Sequence, residues 1–430
     1  MNNQIDKLRV EIAEIESGKV YENALEWRFE FPEVLNDNGD FVGFDVVIGN
    51  PPYGVLPSKF EWAILLKKYK TLGMNNLLKD SYFTFCLLGL KDILKPYGYL
   101  SYIIPNTWKL IDSAYDFRQS LIGEFCLICI DEFKTKVFDE ATVDCDVMLI
   151  QKNKIPSYIL QANQRSKDLI QSTITMSNES LSKQYFFNFS LSQKELFILD
   201  KIRSNSFLVK DYFQIKNGVK PYEVGKGFPP QTKKIVSQKP YTSEVKLDST
   251  FQPLIGGRYF NKYVILWNNN FWISYGKWLA APRQESIFKA DEKLIFRQTS
   301  DRIIGTLIQS GFIIRDNTHI ILKKNETFNL KYLLGILNTK LIDFFYTAIN
   351  PEKGEALAQV KAFHVGMLPF CPIDLQEQIP FIEIVDKILT TKKSNPNADT
   401  TALETEIDQL VYQLYKLTEE EIKIVESKTT

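Results

Sequence analysis

The chain of 430 residues has little cysteine and histidine and no long apolar run. Its 5 cysteines and 2 histidines lack the spacing of zinc ligands, so no metal site is expected. Sparse cysteines, odd in number, favour a reducing compartment over a disulfide scaffold. No apolar run reaches the roughly 18 residues of a membrane span, and no secretory signal pattern is present. We therefore expect a cytoplasmic protein without a membrane span.

Net charge is also missing, since 52 basic side chains are matched by 52 acidic ones. This balance argues against a histone-like or membrane-surface protein. The charge is unevenly placed, because residues 201–300 hold 17 basic and 7 acidic side chains, while residues 1–60 and 351–430 are each at −6. Aromatic residues are interleaved with the cations of 201–300, which suits phosphate neutralisation and base stacking. A β-rich domain with a solvated lysine face explains the same composition, so both interpretations stand.

Strands and helices alternate over the first 155 residues. The short β-branched run Phe44–Gly49 predicts a buried parallel strand. The elements expected around it are helices over 1–17, 80–94 and 114–122 and strands over 99–104, 125–130 and 143–151. This alternation predicts a mostly parallel sheet of four strands, covered by helices on both faces.

The most specific motif is the tetrapeptide Asn50-Pro51-Pro52-Tyr53, which directly follows that strand. The exocyclic amine of a nucleobase is a poor nucleophile, because its lone pair is delocalised into the ring. The side-chain oxygen of Asn50 and the carbonyl of Pro51 would accept both amino hydrogens, and proline fixes the backbone at that point. Tyr53 would stack on an extruded base. A rigid Pro-Pro turn after a strand is the purely structural alternative.

Several segments resemble one family, the type IIG restriction-modification enzymes, whose methyltransferase part belongs to the gamma class of adenine-N6 DNA methyltransferases. The segments that carry the resemblance are ALEWRFEFPEVL (24–35), FDVVIGNPPYG (44–54), KDILKPYGYLSYIIPN (91–106), VFDEATVDCDVMLI (137–150), KYLLGILNTKLIDFFY (331–346) and IDQLVYQLYKLTEEEI (407–422). The resemblance implies an α/β fold: a partial Rossmann-like methyltransferase sheet, an α+β DNA target-recognition domain and C-terminal helices. The implied boundaries are 1–155 for the partial catalytic domain, 156–184 for a polar linker, 185–375 for the recognition domain and 376–430 for a helical segment.

The resemblance also assigns roles to residues. Asn50 and Pro51 would bind the adenine amino group, and Tyr53 and Phe138 would stack on the base. Asn50 would also lie next to the methyl donor, S-adenosyl-L-methionine. Either Phe83 or Phe85 would face the adenine of that cofactor, although each is equally explained as helix core.

The family's glycine-rich cofactor loop is not found in residues 1–49, so we expect an incomplete cofactor site. Either a separate polypeptide supplies that half of the domain, docked with the help of the helix over 1–17, or the chain is the surviving half of a broken gene. A self-dimer would be another way to cover the exposed half sheet. The expected function is that of an adenine-N6 DNA methyltransferase component, and the alternative is an inactive DNA-binding specificity module.

Double-stranded DNA is the expected partner of the recognition domain. Arginine reads guanine and glutamine reads adenine, and both also contact phosphates. Taken singly, each candidate is more often a solvated surface residue, and the DNA-binding interpretation depends on the group as a whole. The candidates are Arg258, Lys262, Lys277, Arg283, Gln284, Arg297 and Gln298.

Overall fold

A computed structural model of the chain describes residues 30–54, 59–70, 80–133, 137–138, 144–166, 169–350 and 358–429, and a few positions before residue 30. It divides into two compact units, 1–187 and 188–430. The predicted helix over 1–17 lies largely outside the described residues, of which Arg9, Ile12, Ala13 and Glu16 are helical. In the described ranges, no helix is both long enough and apolar enough to cross a membrane.

The first unit is built on one mixed sheet. Its strands are β1 (Phe44–Gly49), β2 (Leu94–Pro105), β3 (Cys126–Phe133), β4 (Cys145–Gln151), β5 (Ile159–Ser166) and β6 (Leu169–Ser177). Its helices are α1 (Lys59–Lys70), α2 (Ser81–Leu87), which continues as a π-helical turn (Leu88–Ile93), α3 (Tyr115–Gly123) and α4 (Asn178–Ser182), with 3-10 turns at Pro32–Val34, Asn106–Lys109 and Asp112–Ala114. The strand order is β1-β2-β4-β3-β5-β6.

The predicted α/β class and the elements between residues 44 and 151 are confirmed. The prediction of a mostly parallel sheet is wrong, because only the β1–β2 and β3–β5 pairs are parallel, whereas β4 is antiparallel to both neighbours and β6 to β5. A parallel pair needs a crossover of about a dozen residues, but only residues 167–168 join β5 to β6. The alternation of elements therefore does not fix strand direction.

The prediction of a linker over 156–184 is also wrong. That segment contributes β5, β6 and α4, so the sheet has six strands within the described residues, rather than the four that were expected. Leu160, Ala162 and Met176 are buried, while most of β6 is exposed. The many Ser, Thr and Gln residues of this hairpin face solvent, which explains why its sequence lacks a clear apolar pattern.

β1 lies at the edge of the sheet, which contradicts the expectation of a buried strand. Within the described residues it pairs with β2 alone. Val46 is 59% exposed and Ile48 is 80% exposed. Gly43, just before β1, has a φ of +95°, and a Cβ there would lie 2.5 Å from the carbonyl oxygen of Ile93. Only glycine fits this close entry to the strand.

The second unit combines two four-stranded sheets, two short strand pairs and surrounding helices. Its strands are β7 (Phe207–Leu208), β8 (Phe213–Asn217), β9 (Thr242–Ser243), β10 (Phe251–Ile255), β11 (Phe260–Asn261), β12 (Val264–Ile265), β13 (Trp272–Ser274), β14 (Glu292–Arg297), β15 (Gly305–Gln309), β16 (Ile313–Ile314), β17 (Thr318–Lys323) and β18 (Pro369–Phe370). The sheet orders are β16-β10-β13-β9 and β15-β14-β17-β8, with β11 paired to β12 and β18 to β7. The helices are α5 (Gln193–Ser204), α6 (Val209–Tyr212), α7 (Lys233–Gln238), α8 (Ser286–Lys289), α9 (Leu330–Leu337), α10 (Lys340–Ile349), α11 (Ala362–Gly366), α12 (Leu375–Ser394), α13 (Thr401–Leu414) and α14 (Glu419–Thr429), with a 3-10 turn at Gly257–Tyr259.

The apolar segment 331–346 forms two helices, α9 and α10, because Asn338 turns aside to bond the backbone of Gly305 through both its oxygen and its nitrogen, at 3.0 and 2.9 Å. The segment 376–430 is helical, as expected, and it packs into the unit. A Cβ at Gly335 of α9 would lie 3.1 Å from the side chains of Val385 and Ile407, so α12 and α13 approach α9 closely.

Candidate functional site

The tetrapeptide that begins with Asn50 forms the turn at the carboxyl end of β1. Asn50 and Pro52 are exposed, whereas Pro51 is buried. Proline has a fixed φ and no backbone N–H, so the buried ring of Pro51 restrains the backbone on which both acceptor oxygens are carried. The turn therefore presents the Asn50 side chain to solvent from a rigid base.

Tyr53 is tied to the neighbouring strand. Its hydroxyl donates a hydrogen bond to the backbone oxygen of Ile103 in β2, at 2.9 Å. Its ring lies edge-on to that of Tyr82, with centroids 6.5 Å apart and planes at 90°. Burial, assisted by the neighbouring thiol of Cys145, raises the pKa of Tyr53 well above its ordinary value. The phenol therefore stays protonated and keeps its role as donor.

The end of the turn is tied to helix α2. The backbone N–H of Gly54 donates to Oδ1 of Asp80, at 3.2 Å, and Asp80 directly precedes that helix. Gly54 has a φ of +66°, a conformation that favours glycine. The Tyr82 hydroxyl lies 3.4 Å from Oγ1 of Thr107, which follows β2. The turn is thus held between α2 and the carboxyl end of β2.

A buried cluster of three charged side chains lies at the end of the sheet where β2 and β3 end and β4 begins. Nζ of Lys109 contacts the Glu132 carboxylate and lies 3.1 Å from that of Asp146. The Trp108 indole N–H also donates to Asp146, at 3.0 Å. Burial alone would lower the pKa of Lys109, but the attraction of the two carboxylates outweighs it and raises that pKa. Because Asp146 follows Cys145, this cluster fixes the start of β4 beside Tyr53.

The rings expected at the cofactor and the base differ in accessibility. Phe83 is only 2% exposed and packs against Phe117 at 5.0 Å, as a core side chain does. Phe85, on the same helix, is 40% exposed. Phe138 is partly exposed and lies in a bend whose neighbours on both sides are outside the described residues. Of the two candidates for the cofactor, Phe85 is the one that solvent reaches.

Two of the seven expected DNA contacts lie close together in the second unit. Arg258 and Arg297 both lie at the Gly256–Gly257 turn after β10. Arg315 was not among the expected contacts, but it reaches the same turn. A cation directly after the apolar pair Ile313–Ile314 is the signal that could have pointed to it.

Three other expected contacts are exposed, and two of them carry a cation. The ammonium of Lys277 lies 4.8 Å from the centre of the Phe228 ring. Arg283 donates from Nε to the Gly218 carbonyl at 3.1 Å, and Gln284 beside it is exposed.

The remaining two are engaged within the unit. The Lys262 ammonium is paired with Asp343 at 3.2 Å and bonds the Asn338 carbonyl at 2.8 Å. Gln298 uses its backbone N–H and carbonyl to join Asn317 and Val360.

His319 makes ordinary structural contacts. Nε2 of His319 lies 2.7 Å from the Val360 carbonyl oxygen, and Nδ1 lies 3.1 Å from Oδ1 of Asn217. In the part of the chain that the structure describes, no three His, Cys, Asp or Glu side chains are grouped so as to hold a metal ion.

Comparison with known protein families matches two separate segments. Residues 1–138 match the Eco57I restriction-modification methylase family, and residues 252–370 match the TaqI-like C-terminal specificity domain. The second match includes Arg258, Arg297 and Arg315, and the first includes the whole Asn50–Tyr53 turn.

Individual relatives carry consistent names. The chain is 25% identical over 409 residues to the "Putative type II restriction enzyme and methyltransferase RM.MjaORFECS2P" of Methanocaldococcus jannaschii, which covers 90% of this chain and 32% of that protein. It is 34% identical over 118 residues to RM.Eco57I of Escherichia coli, a type II restriction enzyme and methyltransferase, covering 26% of this chain and 11% of that one. A solved structure of the type IIL restriction-modification enzyme MmeI in complex with DNA aligns at 12% identity and a TM-score of 0.48, over 92% of this chain and 59% of that one.

The chain thus spans about a third of one curated relative and about a tenth of the other. The two family matches and the two named relatives agree on one class of enzyme. The chain is therefore similar to type II restriction-modification enzymes, with an Eco57I-type methylase match over residues 1–138 and a TaqI-like specificity-domain match over residues 252–370.

Proposed function

We propose that this chain is the target-binding part of an adenine-N6 DNA methyltransferase in a restriction-modification system, and that it acts on double-stranded DNA. The observation that carries the proposal is the turn at the end of β1, where an exposed Asn50 is followed by a buried Pro51. Its position within the methylase family match supports the same assignment.

The turn suits the activation of an aromatic amine. Oδ1 of Asn50 and the Pro51 carbonyl oxygen would each accept one hydrogen bond from the adenine amino group. Two acceptors draw electron density on to the nitrogen and favour a tetrahedral, nucleophilic geometry, since they stabilise the positive charge that develops during methyl transfer. The rigid backbone at Pro51 holds both acceptors in place beforehand.

Base flipping would bring the adenine to this turn. A base inside a duplex is out of reach, so an enzyme that modifies it must extrude it and stack it on aromatic side chains. Tyr53, anchored through its hydroxyl to Ile103, supports this role because its ring is held in the same short turn that carries Asn50. Phe138, which is partly exposed, is the proposed second ring.

The described residues fit the methyl acceptor better than the methyl donor. The acceptor oxygens of Asn50 and Pro51 match an amino group, whereas Phe83, one of two rings expected at the cofactor, is buried in the core. Phe85 offers an accessible ring on helix α2. We propose that further residues, on strands that join the exposed edge of β1, complete the pocket for S-adenosyl-L-methionine.

The exposed edge of β1 supports a further methylase segment as partner. Val46 and Ile48 are apolar and largely exposed, on a strand with one free hydrogen-bonding edge in the described structure. Such an edge binds another strand readily. We propose that strands carrying the rest of the cofactor site pair with β1, either from another part of a longer chain or from a separate polypeptide.

The test is a methyl-transfer assay with tritiated S-adenosyl-L-methionine and unmethylated DNA. The chain is assayed alone and with the polypeptide encoded directly upstream, and the product nucleoside is identified by mass spectrometry. We expect N6-methyladenine when both are present. Transfer to cytosine would contradict the adenine assignment, and full activity of the chain alone would contradict the need for a partner. DNA binding with no transfer in either arm would favour the inactive specificity module.

A further inference from the structure

We infer that Arg258, Arg297 and Arg315 form one guanidinium cluster through which the specificity domain binds DNA, and that Arg258 reads a guanine base within it. This rests on the proposed function and adds to it the residues that determine sequence preference. The name "arginine cluster" is used below for these three side chains.

The three arginines converge from the ends of three strands. Arg258 follows β10, Arg297 is the last residue of β14, and Arg315 follows β16. A Cβ at Gly257 would lie 3.5 Å from Cγ of Arg297, and a Cβ at Gly256 would lie 3.6 Å from Cδ of Arg315. Both arginine side chains thus lie within van der Waals reach of the Gly256–Gly257 turn.

The positive charge of the cluster is poorly neutralised. Arg315 forms an ion pair with the neighbouring Asp316, whose Oδ1 lies 3.6 Å from its Nε. Within the described part of the chain, neither Arg258 nor Arg297 forms an ion pair. Like charges held together without counter-charges cost free energy, and a bound polyanion removes that cost. The cluster is therefore suited to DNA.

The guanidinium of Arg258 is exposed, and two aromatic rings hold its plane. Its guanidinium carbon lies 4.7 Å from the centre of the Tyr259 ring and 5.7 Å from that of Phe271, and those rings stack with centroids 4.9 Å apart. It also contacts the Tyr259 hydroxyl through Nη2. Stacking fixes the plane of the guanidinium. The Tyr259 contact engages one N–H of Nη2, so one of the two parallel N–H pairs of the guanidinium stays available, and such a pair matches O6 and N7 of guanine.

The other two arginines are suited to supplying charge. Arg297 donates from Nε and Nη2 to the Phe260 carbonyl, so part of its fork is already engaged. Arg315 lies with its guanidinium carbon 6.0 Å from the centre of the Phe271 ring and is partly exposed. Phosphates need only a nearby cation, so these two side chains can neutralise the backbone while Arg258 reads the base.

The experiment selects bound duplexes from a randomised DNA pool with the full chain and with Arg258→Lys, which keeps the charge but loses the fork. We expect the wild type to enrich guanine at one or more positions. Arg258→Lys should lower that preference at a single position by between about 5-fold and about 150-fold. Its affinity for non-target DNA should stay within about 2-fold, because the charge is kept.

Two further variants separate base recognition from charge. Arg315→Ala should weaken binding to all sequences alike and lower the slope of log affinity against log salt by about 1. Arg302→Lys is the matched control, because Arg302 is exposed and already paired with Asp301 at 3.3 Å, and its selected pool should equal that of the wild type.

The inference is overturned if Arg258→Lys selects the same sequences as the wild type, or if the wild type shows no guanine preference at any position. Loss of selectivity at many positions at once would likewise contradict it. If the wild type and Arg258→Lys both bind DNA with equal sequence selectivity, this inference alone is overturned. If the wild type binds no DNA, the proposed function is overturned as well.

Discussion

The Tyr53 hydroxyl donates to the backbone carbonyl of Ile103 at 2.9 Å. This bond joins the residue that ends the Asn50–Tyr53 turn to the strand beside β1, across 50 positions of sequence. The ring is therefore oriented before any ligand is present. An oriented ring lowers the entropy that must be lost when a base stacks on it, which is one source of binding affinity.

Replacing Tyr53 separates the anchor from the ring. Tyr53→Phe keeps the ring but leaves the Ile103 carbonyl without this donor, so the free energy of unfolding should fall by about 1 kcal/mol. Tyr53→Ala removes the ring too. Compared with Tyr53→Phe, its free energy of binding to DNA that carries an extruded adenine should be weaker by about 1–3 kcal/mol. Denaturant unfolding and fluorescence of a 2-aminopurine target measure the two effects. Equal target fluorescence for Phe and Ala variants would exclude stacking by Tyr53.

Replacing Asn50 tests the chemistry of the turn. Asn50→Ala removes one of the two proposed acceptors, and loss of one preorganised electrostatic partner typically costs about 100-fold to 1,000-fold in rate. Because Asn50 is exposed and lies outside the specificity domain, the affinity for DNA should change little. Single-turnover methyl transfer and a DNA-binding titration, both with the partner present, check this.

Asn397→Ala is the matched control for that experiment. Asn397 is exposed and lies in the connection between α12 and α13. Its replacement should leave both transfer and binding unchanged. Methyl transfer at the wild-type rate by Asn50→Ala would contradict the role of Asn50 as an acceptor for the adenine amino group.

Lys109→Met should be strongly destabilising. The substitution leaves the buried carboxylates of Glu132 and Asp146 without their cation, and breaking a buried ion pair from one side costs about 3–5 kcal/mol. Burial already raises the pKa of Asp146, and removing the lysine raises it further. Protonation of a carboxylate in the folded state stabilises it, so the loss should be smaller at about pH 5 than at about pH 8.

Chemical denaturation across pH measures that prediction. Lys109→Met combined with Glu132→Gln and Asp146→Asn removes the unpaired charges, so it should regain part of the lost stability. A Lys109→Met deficit that is constant with pH would mean that the carboxylates are not the cause.

The elements of the first unit that arise from a local sequence pattern were predicted correctly. A β-branched run followed by Asn-Pro-Pro-Tyr predicted β1 and its turn, and the helices α2 and α3 followed from apolar periodicity. The exposure of Ile48 and the antiparallel direction of β4 depend on which strands become neighbours. Strand order is a tertiary property, so periodicity along the chain carries no information on it.

The site residues likewise divide into those that one local motif reveals and those that only tertiary structure brings together. Asn50, Pro51 and Tyr53 are consecutive or nearly so, and one short motif reveals them. Glu132 and Asp146 lie 23 and 37 positions after Lys109 in the sequence. Only the register of β3 with β4 brings the two carboxylates together. Arg315 reaches the turn at Gly256 through pairing of β10 with β16. Such sites require the folded structure.

A buried carboxyl group in the second unit should make its stability depend on pH. Asp408 is buried, and its Oδ1 accepts a hydrogen bond from the Lys340 backbone N–H at 3.0 Å. Burial raises the pKa of Asp408 to about 6. A carboxyl whose folded pKa is raised contributes stability that is complete below its unfolded pKa, near 4, and is lost as the pH rises through about 6.

Asp408→Asn keeps the acceptor for Lys340 and removes the titration. Relative to this variant, the wild type should therefore lose up to about 3 kcal/mol as the pH rises from about 4 to about 7. Asp399→Asn is the control of opposite sign, because the exposed Asp399 accepts bonds from Thr401 that lower its pKa, so its contribution is lost as the pH falls. Urea unfolding of all three proteins across this range measures the difference. Parallel curves for the wild type and Asp408→Asn would show that Asp408 is already ionised at about pH 4, and that its environment stabilises the charge despite burial.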